Sequence, residues 1–126
     1  MLRVLMSIKP EFVEKIFSGE KKFEYRKSVF RNPEVDTVVI YATKPCGKVV
    51  GEFNINKILC NTPKKIWKDT WEFSGISEEF FDEYFKDREK AYAIEIAEIV
   101  QYEHPLSLQE FDKSIKFPPQ SFQYLK

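Results

Sequence analysis

The sequence predicts an α+β fold in which short strands form a small, partly open β-barrel and a few short helices lie at its periphery. Three observations support this fold class. Segments of alternating apolar residues recur along the chain, short amphipathic stretches separate them, and no repeat, low-complexity region or interdomain linker interrupts the order. We therefore expect residues 1–126 to form one domain.

Apolar periodicity of two locates the strands. The predicted strands cover residues 2–8, 23–30, 35–43, 48–59 and 91–102. The third of these is almost continuously apolar, which is typical of a strand buried on both faces. The last loses its alternation at Glu98 and Ile99, and this change of phase predicts a β-bulge.

Start and stop signals locate the helices between these strands. The predicted helices cover residues 10–18, 63–73 and 78–86, and a short one follows Ser107. Pro10 suits the first helical position, and Gly19 suits a left-handed residue that ends the helix. Two aromatic stripes, which we interpret as core, lie on the later helices. They comprise Trp67 with Trp71, and Phe80, Phe81, Tyr84 and Phe85.

The distribution of charge narrows the class of partner. The formal net charge is zero, which argues against a generally basic nucleic-acid binder. Residues 1–31 nevertheless carry eight basic against four acidic side chains, an excess of four, whereas residues 72–112 carry three against twelve. Any contact with a polyanion should therefore involve the first third of the chain, with few phosphates.

Several other classes of protein find no support in the sequence. No apolar run approaches the about 18 residues of a membrane-spanning helix, and the start lacks the pattern of a secretion signal. Cys46 and Cys60 are expected to be buried, reduced thiols of a cytoplasmic protein. His104 is the only histidine and the four glycines are not grouped, so no catalytic triad, metal site, phosphate loop or cofactor is predicted.

One short stretch carries a more specific signal. After Ser7-Ile8-Lys9-Pro10 and the first helix, the chain contains Gly19-x-Lys21-x-x-Glu24-x-Arg26. This spacing resembles the G-x-K-x-x-E-x-R signature of ASCH domains, members of the PUA-like superfamily, and residues 118–125 resemble the ending of many such proteins. The resemblance implies a PUA-like barrel with a cleft beside the first helix that binds RNA or single nucleotides.

The resemblance also implies an enzymatic alternative. One branch of the family hydrolyses the acetyl amide of acetylated cytidine with a lysine, a threonine three residues later and a distant glutamate. Lys21 matches the lysine and Glu72 is the candidate glutamate, but Glu24 occupies the threonine position. If the protein is a hydrolase of an acylated nucleoside or of RNA phosphodiesters, the catalytic candidates are Lys21, Glu24 and Glu72. The sequence leaves open whether the protein is an enzyme or a binding module.

The main hypothesis is recognition of RNA or a nucleotide, or nucleoside, in that cleft. Lys9, Lys21 and Arg26 would hold negative or acceptor groups, and Glu24 would accept from an amine of the ligand. Tyr41 and Ser121 are further candidate ligand-binding residues. The alternative without any site is a surface ion pair between Glu24 and Arg26, which would contribute little.

Overall fold

Six strands, four short α-helices and one 3₁₀ turn form the structure, a computed structural model that describes residues 1–126. The strands are β1 (Leu2–Ile8), β2 (Phe23–Arg26), β3 (Val35–Ala42), β4 (Lys48–Asn61), β5 (Ala91–Leu106) and β6 (Phe122–Tyr124). The helices are α1 (Pro10–Ser18), α2 (Pro63–Thr70), α3 (Glu78–Tyr84) and α4 (Leu108–Phe111), and the 3₁₀ turn is Trp71–Phe73.

All six strands belong to one mixed sheet in the order β2-β5-β4-β3-β1-β6. Strands β1 and β3 are parallel, and the other neighbours are antiparallel. Although β2 and β6 are the two edges, Arg26 of β2 donates to the carbonyl of Ser7 on β1 at 2.8 Å. The sheet therefore curls until its edges approach one another, and the predicted α+β fold with a partly open barrel is confirmed.

Irregular pairing between the two longest strands contributes to this curl. Phe53 of β4 pairs with Ile99 of β5, but Ile55 pairs with Ile96, so β5 contains an extra residue between these pairs. Such a bulge bends and twists a strand. The bulge lies where the loss of alternation at Glu98 and Ile99 predicts it.

Three apolar clusters stabilise the curled sheet. The largest fills the concave side, where Val13 and Ile16 of α1 cover the sheet. Gly51 allows this approach, because a Cβ there would lie 2.8 Å from Phe17 Cζ and 2.5 Å from a β5 carbonyl. The second cluster packs α4 against the other face, and the third packs α2 and α3 against β2 and β5. Helix α1 is thus fixed against the sheet.

Several helix signals are confirmed in atomic detail. Gly19 follows α1 with φ 87°, the left-handed conformation that the sequence predicts. Ser107 and Glu110 form both hydrogen bonds of a capping box before α4. The predicted helix over residues 63–73 ends earlier, since its last turn is the 3₁₀ turn.

Other expectations are wrong. Strand β2 stops at Arg26 instead of reaching residue 30, and β6 is a strand that the sequence pattern did not predict. Cys46 and Cys60 are free and exposed rather than buried. Trp71 is 55% exposed and Phe80 is 38% exposed, so neither is a core residue. No helix in the structure has both the length and the apolar character needed to cross a bilayer.

Candidate functional site

A tight corner after α1 turns Lys21 into the protein. Beyond the left-handed Gly19, the backbone N–H of Lys21 donates to the carbonyl of Lys15 at 3.0 Å. The next N–H, that of Lys22, donates to the carbonyl of Phe73 at 2.8 Å. These bonds fix the chain before β2 begins, and the Lys21 residue is left only 2% exposed.

The ammonium group of Lys21 is held by a carbonyl and by aromatic rings. Its Nζ donates to the carbonyl of Ser74 at 2.8 Å and lies 4.8 Å from the centroid of the Tyr25 ring and 5.2 Å from that of Phe12. Gly75 packs directly on the aliphatic stem, because a Cβ there would lie 2.6 Å from Lys21 Cβ. The loop after the 3₁₀ turn and the lysine therefore fix each other.

Burial lowers the pKa of Lys21 from its ordinary 10.5 to about 8, because an ammonium loses hydration in this environment. The carboxylate of Glu24 opposes this effect, whereas the positive charges of Arg26 and Lys15 add to it. Lys21 is thus a stronger acid than an exposed lysine, and a larger fraction of it is neutral near pH 8.

Glu24 and Arg26 form a buried ion pair on the concave face of β2. Arg26 Nη2 lies 2.9 Å and Nε 3.1 Å from Glu24 Oε2, and the side chains are only 12% and 5% exposed for Arg26 and Glu24. Arg26 also donates to the carbonyl of Ser7 and, at 3.4 Å, to Ser121 Oγ. The alternative of a surface ion pair is therefore wrong.

The second carboxylate oxygen of Glu24 differs from the first. Glu24 Oε1 is buried and makes no hydrogen bond within the protein. An ionised carboxylate can only accept hydrogen bonds, and a buried acceptor without a partner is costly. This oxygen is consequently a strong acceptor for a donor group that enters from the adjoining cavity.

A cavity of about 570 Å³ adjoins these residues, between α1, β2, α3 and the segment before β6. Five of the six predicted ligand-binding residues line it, namely Lys9, Lys21, Glu24, Arg26 and Ser121. The period-two spacing and the family signature therefore identify side chains that do lie together.

Two predicted site residues lie elsewhere. Tyr41 is 8% exposed and packs in the apolar cluster beside α4, so it does not line the cavity. Glu72 is exposed on the 3₁₀ turn and lines a separate shallow depression with Lys15 and Glu20. The structure thus brings Lys21 and Glu24 to one cavity and leaves Glu72 outside it.

The cavity also contains side chains that sequence reasoning missed. These are Phe12, Lys27, Ser28, Thr43, Ile76, Phe80, Tyr84 and Arg88, among others. Phe80 and Tyr84 lie one turn apart on α3 with nearly parallel rings, 6.4 Å between centroids. Their helical spacing was visible in the sequence, but it does not distinguish a core stripe from a cavity wall.

Tyr25 anchors the wall of the cavity to α2. Its hydroxyl lies 2.7 Å from Thr70 Oγ1, and Thr70 Oγ1 donates to the carbonyl of Ile66 at 2.7 Å, so Tyr25 is the donor to Thr70. Burial raises the pKa of Tyr25 to about 12. The ring under Lys21 is therefore a fixed, neutral phenol.

The chemistry of the site is that of an ion-lined aromatic cavity. It presents the carboxylate of Glu24, which has one unpaired oxygen, the cations of Lys21 and Arg26, and the partly exposed ring of Phe80. No group of three or more His, Cys, Asp or Glu side chains is arranged as metal ligands. Such a cavity suits a planar ligand that carries both hydrogen-bond donors and acceptors.

Comparison with known proteins gives concordant results. Residues 6–100 match the model of the ASCH domain. The chain is 30% identical over 125 residues to an ASCH domain-containing ribonuclease of Zymomonas mobilis, covering 97% of this chain and 83% of that protein. It is also 31% identical over 124 residues to a large ribosomal subunit protein uL22 of Ureaplasma parvum, covering 98% of this chain but only 39% of that longer protein.

A solved structure extends the agreement to the whole fold. The crystal structure of a serine-to-alanine variant of the Zymomonas mobilis ASCH protein superposes with a TM-score of 0.90 at 26% identity. The match covers 98% of this chain and 88% of that chain. Sequence match, curled sheet and signature residues agree, and the chain belongs to the ASCH domain family.

Proposed function

We propose that this protein recognises RNA, or a nucleotide derived from it, in the cavity beside α1. The observation that carries the proposal concerns Glu24, which lines the cavity and whose Oε1 is buried without a hydrogen-bond partner. The exocyclic amine of cytosine, adenine or guanine is a donor of the right kind. The relationship to a protein named a ribonuclease supports RNA as the source of such a base.

The other cavity residues suit the rest of a nucleotide. Phe80 is 38% exposed and offers a ring face on which a base can stack. Lys9 is exposed, and its Nζ lies 5.5 Å from the Phe80 ring centroid, so a stacked nucleotide would bring its phosphate near this ammonium. Arg26 and Lys21 are available on the inner wall as donors to acceptor atoms of the base.

Binding of four nucleoside monophosphates tests the proposal. CMP, AMP and GMP should bind about 10-fold or more tightly than UMP, because uracil offers no exocyclic amine to Glu24. In Glu24→Gln, the amide can donate to O4 of uracil, so the preference should move toward UMP. Glu72→Gln, outside the cavity, should bind like the natural protein. Equal affinities of all four nucleotides in every variant would contradict a role of Glu24 in recognition.

A second function, cleavage of RNA phosphodiesters, is favoured by the Zymomonas mobilis relative named a ribonuclease and by Lys21 with its pKa of about 8. Glu24 Oε1 would take the proton of a ribose 2′-hydroxyl while that oxygen attacks the neighbouring phosphorus. The bond from phosphorus to the 5′-oxygen would break, and Lys21 would protonate the departing oxygen. The products are a 2′,3′-cyclic phosphate and a 5′-hydroxyl.

Product analysis on a short RNA separates the two functions. Cleavage predicts cyclic phosphate ends, no cut at a 2′-deoxy residue, and loss of activity in Lys21→Met, checked by circular dichroism for an intact fold. Glu72→Gln should retain activity. Binding without any cyclic phosphate product assigns the cavity to recognition alone.

Deacetylation of acetylated cytidine is expected to be absent or very slow, because Glu24 stands where the hydrolytic branch carries threonine. Release of cytidine, compared between the natural protein and Glu24→Thr, measures this directly. Robust turnover by the natural protein that Lys21→Met abolishes would overturn this expectation. Turnover gained only in Glu24→Thr would support it.

A further inference from the structure

A second surface of the molecule combines one exposed and one half-buried indole with lysines. A shallow depression of about 710 Å³ is lined by Thr62, Glu78 and five further residues, which are here called the α2 surface. These five are Lys64, Lys65, Trp67, Lys68 and Trp71. Trp71 is 55% exposed, although a tryptophan normally contributes its area to a core or an interface. Trp67 of α2 is partly buried against the third apolar cluster, whereas Trp71 of the 3₁₀ turn is the indole that is available to a partner.

We propose that the α2 surface binds single-stranded RNA that extends from a nucleotide held in the cavity, an inference that rests on the proposed function. Lysines attract phosphates, and exposed indoles stack on bases of any sequence. Lys64 and Lys68 form no ion pair within the protein, whereas Lys65 pairs with Asp69. With Glu78 as its only acid, the depression has three lysines and a positive balance.

The α2 surface is connected to the cavity along the protein surface. An intermediate depression of about 670 Å³ shares Arg88 with the cavity and shares Lys64 and Trp67 with the α2 surface. Three carboxylates, of Glu78, Asp82 and Glu89, also line this intermediate depression. Phosphate contacts should therefore concentrate at the two ends of the path, and the total number of contacts should be small.

Tryptophan fluorescence gives a direct readout, because Trp67 and Trp71 are the only two tryptophans of the chain and both line the α2 surface. The probes are CMP, which can occupy the cavity alone, and an oligocytidylate of eight residues. The octamer should quench the fluorescence and bind with marked salt dependence. CMP should bind without comparable quenching.

Variants of the α2 surface provide the matched test. Trp71→Ala should weaken octamer binding about 5- to 100-fold and leave CMP affinity unchanged. Lys64→Ala with Lys68→Ala should reduce the slope of log affinity against log salt by about 2. The control, Lys113→Ala with Lys116→Ala, removes two exposed lysines that line neither the cavity nor these depressions and should change neither quantity.

The outcomes distinguish this inference from the proposed function. If the octamer binds without changing the tryptophan fluorescence, and binds the α2 variants as tightly as the natural protein, the inference is overturned while the cavity proposal stands. An α2 surface that serves a protein partner would give this result. Failure of the octamer to bind at all also overturns it. Quenching by the octamer that the α2 variants weaken, without any CMP binding, supports the α2 surface and contradicts nucleotide recognition in the cavity.

Discussion

Two ion pairs of similar length lie in very different surroundings. Arg26 and Glu24 are 2.9 Å apart in the cavity wall, with side chains 12% and 5% exposed. Lys65 and Asp69 are 3.2 Å apart on α2, with side chains 49% and 42% exposed. Water and salt screen the pair on α2, whereas the pair in the cavity wall has given up its hydration and depends on its partner.

The difference indicates what each region can do. In the cavity wall, Arg26 is bonded to Glu24 and to the carbonyl of Ser7, so the remaining oxygen of Glu24 has a fixed direction. Fixed, desolvated groups select a ligand by its hydrogen-bond pattern. The exposed lysines of α2 keep their hydration and their freedom, which suits salt-dependent attraction of phosphates without selection of sequence.

The largest effect is expected from Arg26→Ala. This variant leaves the Glu24 carboxylate buried without its cation, and the free energy of unfolding should fall by about 3–5 kcal/mol. Urea denaturation measures the loss. The control variant combines Glu24→Leu with Arg26→Met and so removes both charges. Its free energy of unfolding should be close to that of the natural protein, but it should not bind nucleotides. A loss below about 1 kcal/mol in Arg26→Ala would contradict a desolvated pair.

Lys21 should make stability depend on alkaline pH. Its pKa is about 8 in the folded protein and 10.5 in its ordinary state, so the unfolded chain binds more protons between these values. The free energy of unfolding should then rise as the pH increases above about 8. Over the full range from pH 8 to pH 10.5 the rise would be about 3 kcal/mol. Below pH 8 both states are protonated, and this contribution does not change.

Tyr25, together with Tyr102, whose pKa burial also raises to about 12, should reverse the trend at higher pH. The pKa of Tyr25 is raised to about 12 from 10.0, so the folded protein keeps a proton that the unfolded chain loses, and stability should fall above pH 10. Urea titrations from pH 7 to 10 test the rise due to Lys21. Lys21→Met should abolish that rise, and an equally steep rise in this variant would assign it to other groups.

Two glycines test how closely the loop after the 3₁₀ turn packs on Lys21. Gly75 has φ +68° and its added Cβ would lie 2.6 Å from Lys21 Cβ, whereas Gly19 has φ +87° with nothing within 4 Å. Gly19→Ala should cost about 1–2 kcal/mol from backbone strain alone. Gly75→Ala should cost about 1–3 kcal/mol more, because the loop must also move away from the lysine stem. Equal losses in thermal or urea unfolding would contradict this packing.

Much of the fold was predictable because its signals are local. Alternation locates the strands, and the chemistry of Gly19 and of Ser107 with Glu110 marks helix ends. Glu24 and Arg26 share a face since they lie two residues apart on one strand, and their pairing follows from that spacing. Short β6 has too few residues to show a period.

The parts of the site that were missed depend on tertiary packing. Phe80 and Tyr84 form a helical stripe, but only the position of α3 decides that the stripe faces a cavity rather than the core. Tyr41 lies on β3, whose residues are buried on both faces, so the pattern does not tell which face adjoins the cavity. Glu72 follows α2 on a 3₁₀ turn, and helical spacing gives no direction for it.

The smallest effect is expected from the exposed pair on α2. Lys65→Ala removes an i, i+4 contact with Asp69 whose side chains are about half exposed, so the free energy of unfolding should fall by no more than about 0.5 kcal/mol. The loss should shrink further in high salt, because counterions screen exposed charges. Asp69→Ala is the matched control, and the double variant should show a coupling energy of about 0.5 kcal/mol or less between the two sites. A coupling energy of several kcal/mol that persists in high salt would mean that the exposed pair contributes as much to stability as a buried pair. The contrast between a selective cavity and a screened α2 surface would then be lost.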